Sequence, residues 1–391
     1  MDEKTLKVLA MKSMSAMLMV VLFSVVLTQY NNITIYANES LAEVSEDSNL
    51  YRKSLESVST EELKRQEKQL EEKNQIRKIE SADVDKIVGH SYIKLAKPSE
   101  DTLKIAWEDL YMTRQVRVRM VGLEEKWITK KSLSCEGTLE EAFEDVLISY
   151  EYDPDTFLYT AVVDIKLNNI YIQQVYEDEE NVYITLQEPR SVYDKIIVVD
   201  AGHGGNDIGT YTDDMEYYEK DINLSIVLYL KELLDKEKNI KVYYTRLSDE
   251  KVYLNPRLDL ANDLKADLFI SVHCNSSDYT SAKGSEVLYS TKHQKNLALK
   301  SDKLAKLCLD ELIKIVKTKN RGTVNGNDIY IVANSKVPVA LIEVGFMSNS
   351  TDMKFLKYEK NRKKTATGIY NGIMKACEQL ETTKKGMNYG E

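Results

Sequence analysis

The apolar and polar positions follow two different periods along the chain. From about His90 to Arg190 the period is two. Leu103, Ile105 and Trp107 alternate with Thr102, Lys104 and Ala106. Val116, Val118 and Met120 alternate with Gln115, Arg117 and Arg119, and Tyr159–Ile165 and Val182–Leu186 continue the pattern. Such alternation predicts half-buried strands. Asp153-Pro154-Asp155 and Asn168-Asn169 mark turns between them. A short helix is expected at about Thr138 to Val146. From Ile196 onward, apolar runs without alternation (IIVVD, LFISVH, VALIEVGF) are separated by helix-like segments such as EKDINLSIVLYLKELLDKE and NRKKTATGIYNGIMKACEQLE. Strands that are apolar on both faces belong to an α/β sheet covered by helices.

The N-terminal part has neither pattern. Lys4, Lys7 and Lys12 precede an apolar run from Met14 to Thr28, and no charge follows until Glu39. Basic residues ahead of such a run place the N-terminus in the cytoplasm and the remainder outside. The run serves as a membrane anchor or as a signal peptide cut near Ile35-Tyr36-Ala37. The stretch STEELKRQEKQLEEKNQIRK contains strong helix formers without Gly or Pro, which predicts a solvated helical stalk. The expected organisation is therefore a signal anchor or signal peptide with linker (1–45), a charged stalk (46–88), a β-rich accessory domain (89–192), an α/β domain (193–380) and a disordered tail (381–391).

Charge sharpens this division. The net charge is -10, but from Lys195 to the end there are 30 Lys+Arg against 27 Asp+Glu, and before it 23 against 36. An acidic N-terminal half repels polyanions, so nucleic acid is not an expected partner. Cys135, Cys274, Cys308 and Cys377 show no metal-knuckle spacing and are expected to be mostly buried free thiols.

The candidate chemistry lies in the α/β domain. Strand Ile196–Asp200 runs into Ala201-Gly202-His203-Gly204-Gly205, whose glycines leave an imidazole clear at the carboxyl end of a strand, where open α/β sheets bind ligands. Glu219 opens an amphipathic helix with Ile222, Ile226 and Leu230 inward. His273 ends another buried strand; Ser271 and Asn275 share its face, and Cys274 points to the core. Glu343 interrupts the apolar strand LIEVGF, where a lone carboxylate is expensive to bury unless paired or near a metal. Each residue alone has a structural explanation. Together, two His and one carboxylate make an open catalytic zinc set, His203, Glu219 and His273, with one Zn2+. Glu343 is then the expected proton carrier. Asp200 or Asn223 is expected to orient the ligands.

The ordered segments VDAGHGG, EKDINL, YYTRLSD, NPRLDLAND, LFISVHCNS, KGSEV, NRG and LIEVGFMSN resemble the zinc-dependent N-acetylmuramoyl-L-alanine amidases of the amidase 3 type. The resemblance spans about Lys195 to Glu378. It implies a six-stranded sheet flanked by helices, metal ligands at His203, Glu219 and His273, and a catalytic Glu343. It also implies cleavage of the amide between the lactyl group of muramic acid and L-alanine in peptidoglycan. Ala201 stands where the family often has Pro. Asn275 and Arg321 are expected to face substrate, with Arg321 on a stem-peptide carboxylate. Arg246, Asp249 and Arg257 are expected to form ion pairs that fix loops, and His293 to lie on the surface. Rival readings are a non-catalytic wall-binding protein and a zinc peptidase cutting within the stem peptide. The β-rich region occupies the position of wall-targeting modules, and the expected setting is extracytoplasmic.

Overall fold

A computed structural model describes residues 76–80, 91–98, 103–294 and 297–388. The expected membrane segment and nearly all of the charged stalk lie outside them. Among the described residues, no helix is long and apolar enough to cross a membrane. All described residues fall in one compact unit, Lys73–Glu391.

The N-terminal part of this unit holds two sheets. Strands β1 (Arg77–Lys78), β2 (Ser91–Ala96), β5 (Leu133–Gly137), β8 (Val175–Glu177) and β9 (Asn181–Thr185) form one, in the order β1-β8-β9-β2-β5. Strands β3 (Lys104–Leu110), β4 (Gln115–Leu123), β6 (Phe143–Asp153) and β7 (Leu158–Leu167) form the other, in the order β3-β4-β7-β6. The alternating residues explain the packing. Ile93, Leu95 and Ile184 of the first sheet share one buried core with Val116, Val118, Met120 and Ile165 of the second.

Two expectations fail in this part. Arg77 and Lys78, expected as the end of a helix, are strand: they pair in parallel with Tyr176 and Glu177. Ile76 packs on the shared core and Ile79 on Tyr176 and Tyr183, so tertiary contacts override local helix preference. The helix expected at Thr138–Val146 is only one 3₁₀ turn, Glu140–Ala142. Beyond it, FEDVLISYEYD becomes β6, because pairing along β7 buries Val146 and half-buries Ile148 and Tyr150.

The remainder is a six-stranded sheet between helices. Its strands are β10 (Lys195–Ala201), β11 (Ile240–Tyr244), β12 (Leu268–Asn275), β13 (Ser285–Tyr289), β14 (Asn320–Asn325) and β15 (Val339–Phe346), in the order β11-β10-β12-β15-β13-β14. The sheet is mostly parallel, and only the β13–β15 pair is antiparallel. The helices are α1 (Pro189–Val192), α2 (Glu219–Leu234), α3 (Leu254–Asp263), α4 (Ser301–Val316), α5 (Tyr330–Ala333), α6 (Ser350–Leu356) and α7 (Glu359–Asn388). Ile196, Val198, Phe269, Val339 and Leu341 pack with residues of α3 and α5. Helices α2, α4 and α7 pack together as a second layer, with Ile222, Ile226 and Leu230 buried as their spacing predicts. The backbone of α7 stays helical to Asn388, past the expected start of a tail at 381. Cys274, Cys308 and Cys377 are buried free thiols, and Cys135 is a half-buried one.

The β-rich part seats on this core through the turn after β3. The Tyr111 hydroxyl donates to the Tyr244 carbonyl at 2.7 Å, and its ring meets Tyr243 edge-on at 5.1 Å. Arg114 pairs with Asp263 at the end of α3.

Candidate metal centre

Three elements bring the candidate ligands together at the carboxyl edge of the sheet. Strand β10 ends at Ala201, and the chain turns through Gly202 into His203, which sits in the left-handed region at φ 62. A non-glycine residue there is strained, and such strain persists where surrounding contacts fix it. Arg257 provides one of these contacts by donating to the His203 carbonyl at 2.7 Å. Glu219 is the first residue of α2, and His273 is the penultimate but one residue of β12. One donor atom from each of His203, Glu219 and His273 lies within 4.8 Å of the others.

Two glycines make this approach possible. A Cβ on Gly202 would stand 2.2 Å from His273 Cε1. A Cβ on Gly209 would stand 2.5 Å from Glu219 Oε2, and Gly209 also has a positive φ of 67. Any side chain at either place would push a candidate ligand aside.

The carboxylate of Glu219 is held on every side. Oε1 accepts from the Cys274 amide at 3.1 Å and from Asn223 Nδ2 at 3.2 Å, and Oε2 accepts from the Thr210 amide at 2.9 Å. His203 Nε2 lies 3.2 Å from Oε2, and His273 Nδ1 lies 2.9 Å from Oε1. Burial works against ionisation of Glu219, but the two imidazoles outweigh it and hold the carboxyl well below the usual range. Burial also opposes the charged form of His203, and its contacts with Glu219 and Asp207 override this, pushing it up to about 9.

Of the two residues expected to orient the ligands, Asn223 donates to the candidate ligand Glu219, whereas Asp200 makes no hydrogen bond to any of the three. The second orienting residue is Asp207, which sequence reasoning missed: its Oδ1 lies 2.8 Å from His203 Nδ1. The contact leaves His203 Nε2 as the atom facing Glu219. Its only signal in the sequence was an acid four residues after a histidine in a glycine-rich loop.

Glu343 stands beside this cluster. It is the register partner of His273 across the parallel β12–β15 pair, so both project from the same face of the sheet. Its Oε2 is shut away from solvent with no hydrogen-bond partner among the described residues. Burial pushes its carboxyl up to about 7, against the opposing pull of His273.

The remaining expectations divide. Arg257 forms the anticipated ion pair, with Asp200. Asp249 pairs with Lys220 and accepts the Gly205 amide. Arg246 instead donates to the carbonyls of Ala201, Gly202, Lys220 and Ser248, lacing the loops through backbone rather than through a carboxylate. Asn275 and Arg321 both reach the same acid, Glu286, to which the sequence reading gave no role. His293 is exposed.

The donor set fits a catalytic zinc ion: two imidazoles and one carboxylate, an outer carboxylate on one imidazole, and an unpartnered buried carboxylate oxygen alongside.

The family described as N-acetylmuramoyl-L-alanine amidase matches residues 197–375, which include all four candidate residues. The germination-specific N-acetylmuramoyl-L-alanine amidase of Bacillus subtilis (strain 168) is 33% identical over 195 residues, covering 46% of this chain and 79% of that protein. The uncharacterized protein YqiI of the same organism is 34% identical over 187 residues, covering 48% of this chain and 87% of YqiI. Among solved structures, the catalytic domain of the amidase CwlV from Bacillus (Paenibacillus) polymyxa var. colistinus is similar at 30% identity and a TM-score of 0.44, covering 47% of this chain and 98% of that one. This chain belongs to the N-acetylmuramoyl-L-alanine amidase family.

Proposed function

We propose that this protein is a zinc-dependent N-acetylmuramoyl-L-alanine amidase of the bacterial cell wall, cutting the amide between the lactyl group of N-acetylmuramic acid and L-alanine. The observation that carries the reading is the unpartnered Oε2 of Glu343 beside the His203–Glu219–His273 set. A structural carboxylate in that position would have its hydrogen bonds satisfied.

Zinc held by His203, Glu219 and His273 would supply Lewis-acid chemistry to the scissile carbonyl and the attacking water. The chain's own residues do the rest. Glu343 takes a proton from the attacking water on Oε2 and returns it to the departing alanine nitrogen, which needs a carboxyl that titrates near neutrality. Asp207 and Asn223 fix the imidazole and carboxylate in place, so little reorganisation accompanies the reaction. Peptidoglycan places the reaction outside the cytoplasm. Export or anchoring belongs to the apolar segment Met14–Thr28, and the β-rich part serves as an accessory domain.

The test is digestion of purified peptidoglycan by the full chain, read by mass spectrometry. Stem peptides released intact with a free N-terminal alanine are the expected products. Cuts between amino acids of the stem would instead identify a peptidase. A chelator should abolish release and zinc should restore it.

A further inference from the structure

The carboxyl edge of the sheet carries its polar residues in one row. His273 on β12 is the register partner of Glu343 on β15, and Glu343 is the register partner of Glu286 on β13. Glu286 is buried, and each oxygen has a partner: Oε1 accepts from Asn275 Nδ2 at 2.8 Å, and Oε2 accepts from Arg321 Nε at 2.7 Å. Arg321 lies on β14, the next strand out. There the ladder shifts register, with Ser285 opposite Asn320 but Val287 opposite Thr323, so Arg321 and Gly322 together face Glu286. Such a bulge re-aims a side chain. Gly322, at φ 89, provides the left-handed residue. The guanidinium is also held over the Phe346 ring, 4.7 Å from its centroid.

Arg321 is thereby fixed at Nε and stacked on one face, while the side chain remains part-exposed. A guanidinium has five donors, so the edge bearing Nη1 and Nη2 is available to a planar acceptor. A buried carboxylate and an aromatic ring spent on orienting one arginine point to a recognition role.

The direction of the row says what it recognises. Glu343 returns its proton to the leaving nitrogen, so that nitrogen lies on the Glu343 side of the metal ligands. The peptide therefore continues over Glu286 toward β14, and the glycan leaves the other way. Neighbouring strands are ~4.8 Å apart, which puts the Glu286–Arg321 pair roughly 10 Å from the metal ligands. An extended residue spans ~3.5 Å, so alanine alone falls short and the second residue of the stem arrives there.

We propose that Arg321, positioned by Glu286 and Phe346, binds a free carboxylate on the second residue of the stem peptide and so makes the enzyme prefer that form over its carboxamide. The inference rests on the amidase reading above. The test compares two muropeptides that differ only in a carboxylate or a carboxamide at that residue, with the zinc-loaded full-length chain. The parent should prefer the carboxylate roughly tenfold in kcat/KM, the scale of a charge-assisted bidentate contact, with the difference mainly in KM. In Arg321→Gln the ratio should collapse toward one. Arg321→Lys should fail to restore it, because the fork is lost although the charge remains. Glu286→Gln should give an intermediate ratio. A purely structural pair would lower both rates equally, and an unchanged ratio in Arg321→Gln overturns this inference while leaving the amidase standing. A parent that cleaves neither muropeptide overturns the amidase reading and this inference with it.

Discussion

Asp200 and Glu343 are carboxylates set into neighbouring parts of one sheet, and the fold treats them in opposite ways. Asp200 is fully buried and fully satisfied. Oδ1 accepts from Arg257 and Thr245, and Oδ2 accepts from Ser271. Burial opposes its charge, but Arg257 and the hydroxyls more than offset it, so its carboxyl is held below the usual range. Glu343 has no such company. Its Oε2 has no partner among the described residues, and burial dominates, raising its carboxyl to about 7. The first arrangement holds loops in place: Arg257 extends from Asp200 to the carbonyls of Ala201 and His203. The second is what the proposed proton carrier requires. Depth of burial alone does not separate a structural carboxylate from a reactive one; the count of its hydrogen bonds does.

The sharpest way to break this contrast is Glu343→Gln. Activity should fall by about 10²–10⁴-fold, the usual weight of a general base. Zinc content, read by elemental analysis, should be unchanged. Loss of zinc together with activity would make Glu343 a ligand rather than the proton carrier.

Next in size is Arg257→Met, which leaves Asp200 buried without its cation. Breaking a buried pair in this way costs about 3–5 kcal/mol, and thermal unfolding should record it. The pH dependence follows from the depressed carboxyl of Asp200. Its stabilising contribution is complete above the unfolded value near 4 and is lost as pH falls through the lower folded value. The parent should therefore lose stability in acid below about pH 4 at a step that Asp200→Asn lacks. A parent and variant with superimposable acid limbs would remove Asp200 from its structural role.

The smallest effect is also the most discriminating. A carboxyl raised in the folded state favours protonation there. It costs no stability below its unfolded value, costs progressively more between that and about 7, and costs most above. In chelator-treated protein, Glu343→Gln should thus unfold later than the parent at pH 8, by about 1–2 kcal/mol, with the gap closing below about pH 4. If Glu343→Gln is instead less stable at pH 8, Glu343 has satisfying partners and the contrast with Asp200 disappears.

The candidate site was legible because its residues occur together. A histidine in a run of glycines and a glutamate inside VALIEVGF are unusual in a packed α/β sheet, whereas an acid opening an amphipathic helix is ordinary and gains meaning only beside them. Asp207 and Glu286 gave no such signal. An acid in a polar loop and an acid near a strand start look like solvated surface, and only their partners, His203 in one case and Asn275 with Arg321 in the other, reveal a role. The helix expected at Thr138–Val146 failed for a related reason. Local preference in TLEEAFEDV favours helix, but β7 offers a partner for the whole of Phe143–Asp153.

Periodicity and residue type by themselves determined the β-rich and α/β parts, the inward face of α2, and the four residues of the candidate centre. These depend on positions close in sequence, where the period of a strand or helix fixes which side chains share a face. Only the tertiary structure decided what those residues touch. Whether a buried acid is paired, as Asp200 is with Arg257, or left with a free oxygen, as Glu343 is, depends on groups brought from other strands and helices. The energy of a buried charge is set by those neighbours, and their distance along the chain carries no information about it.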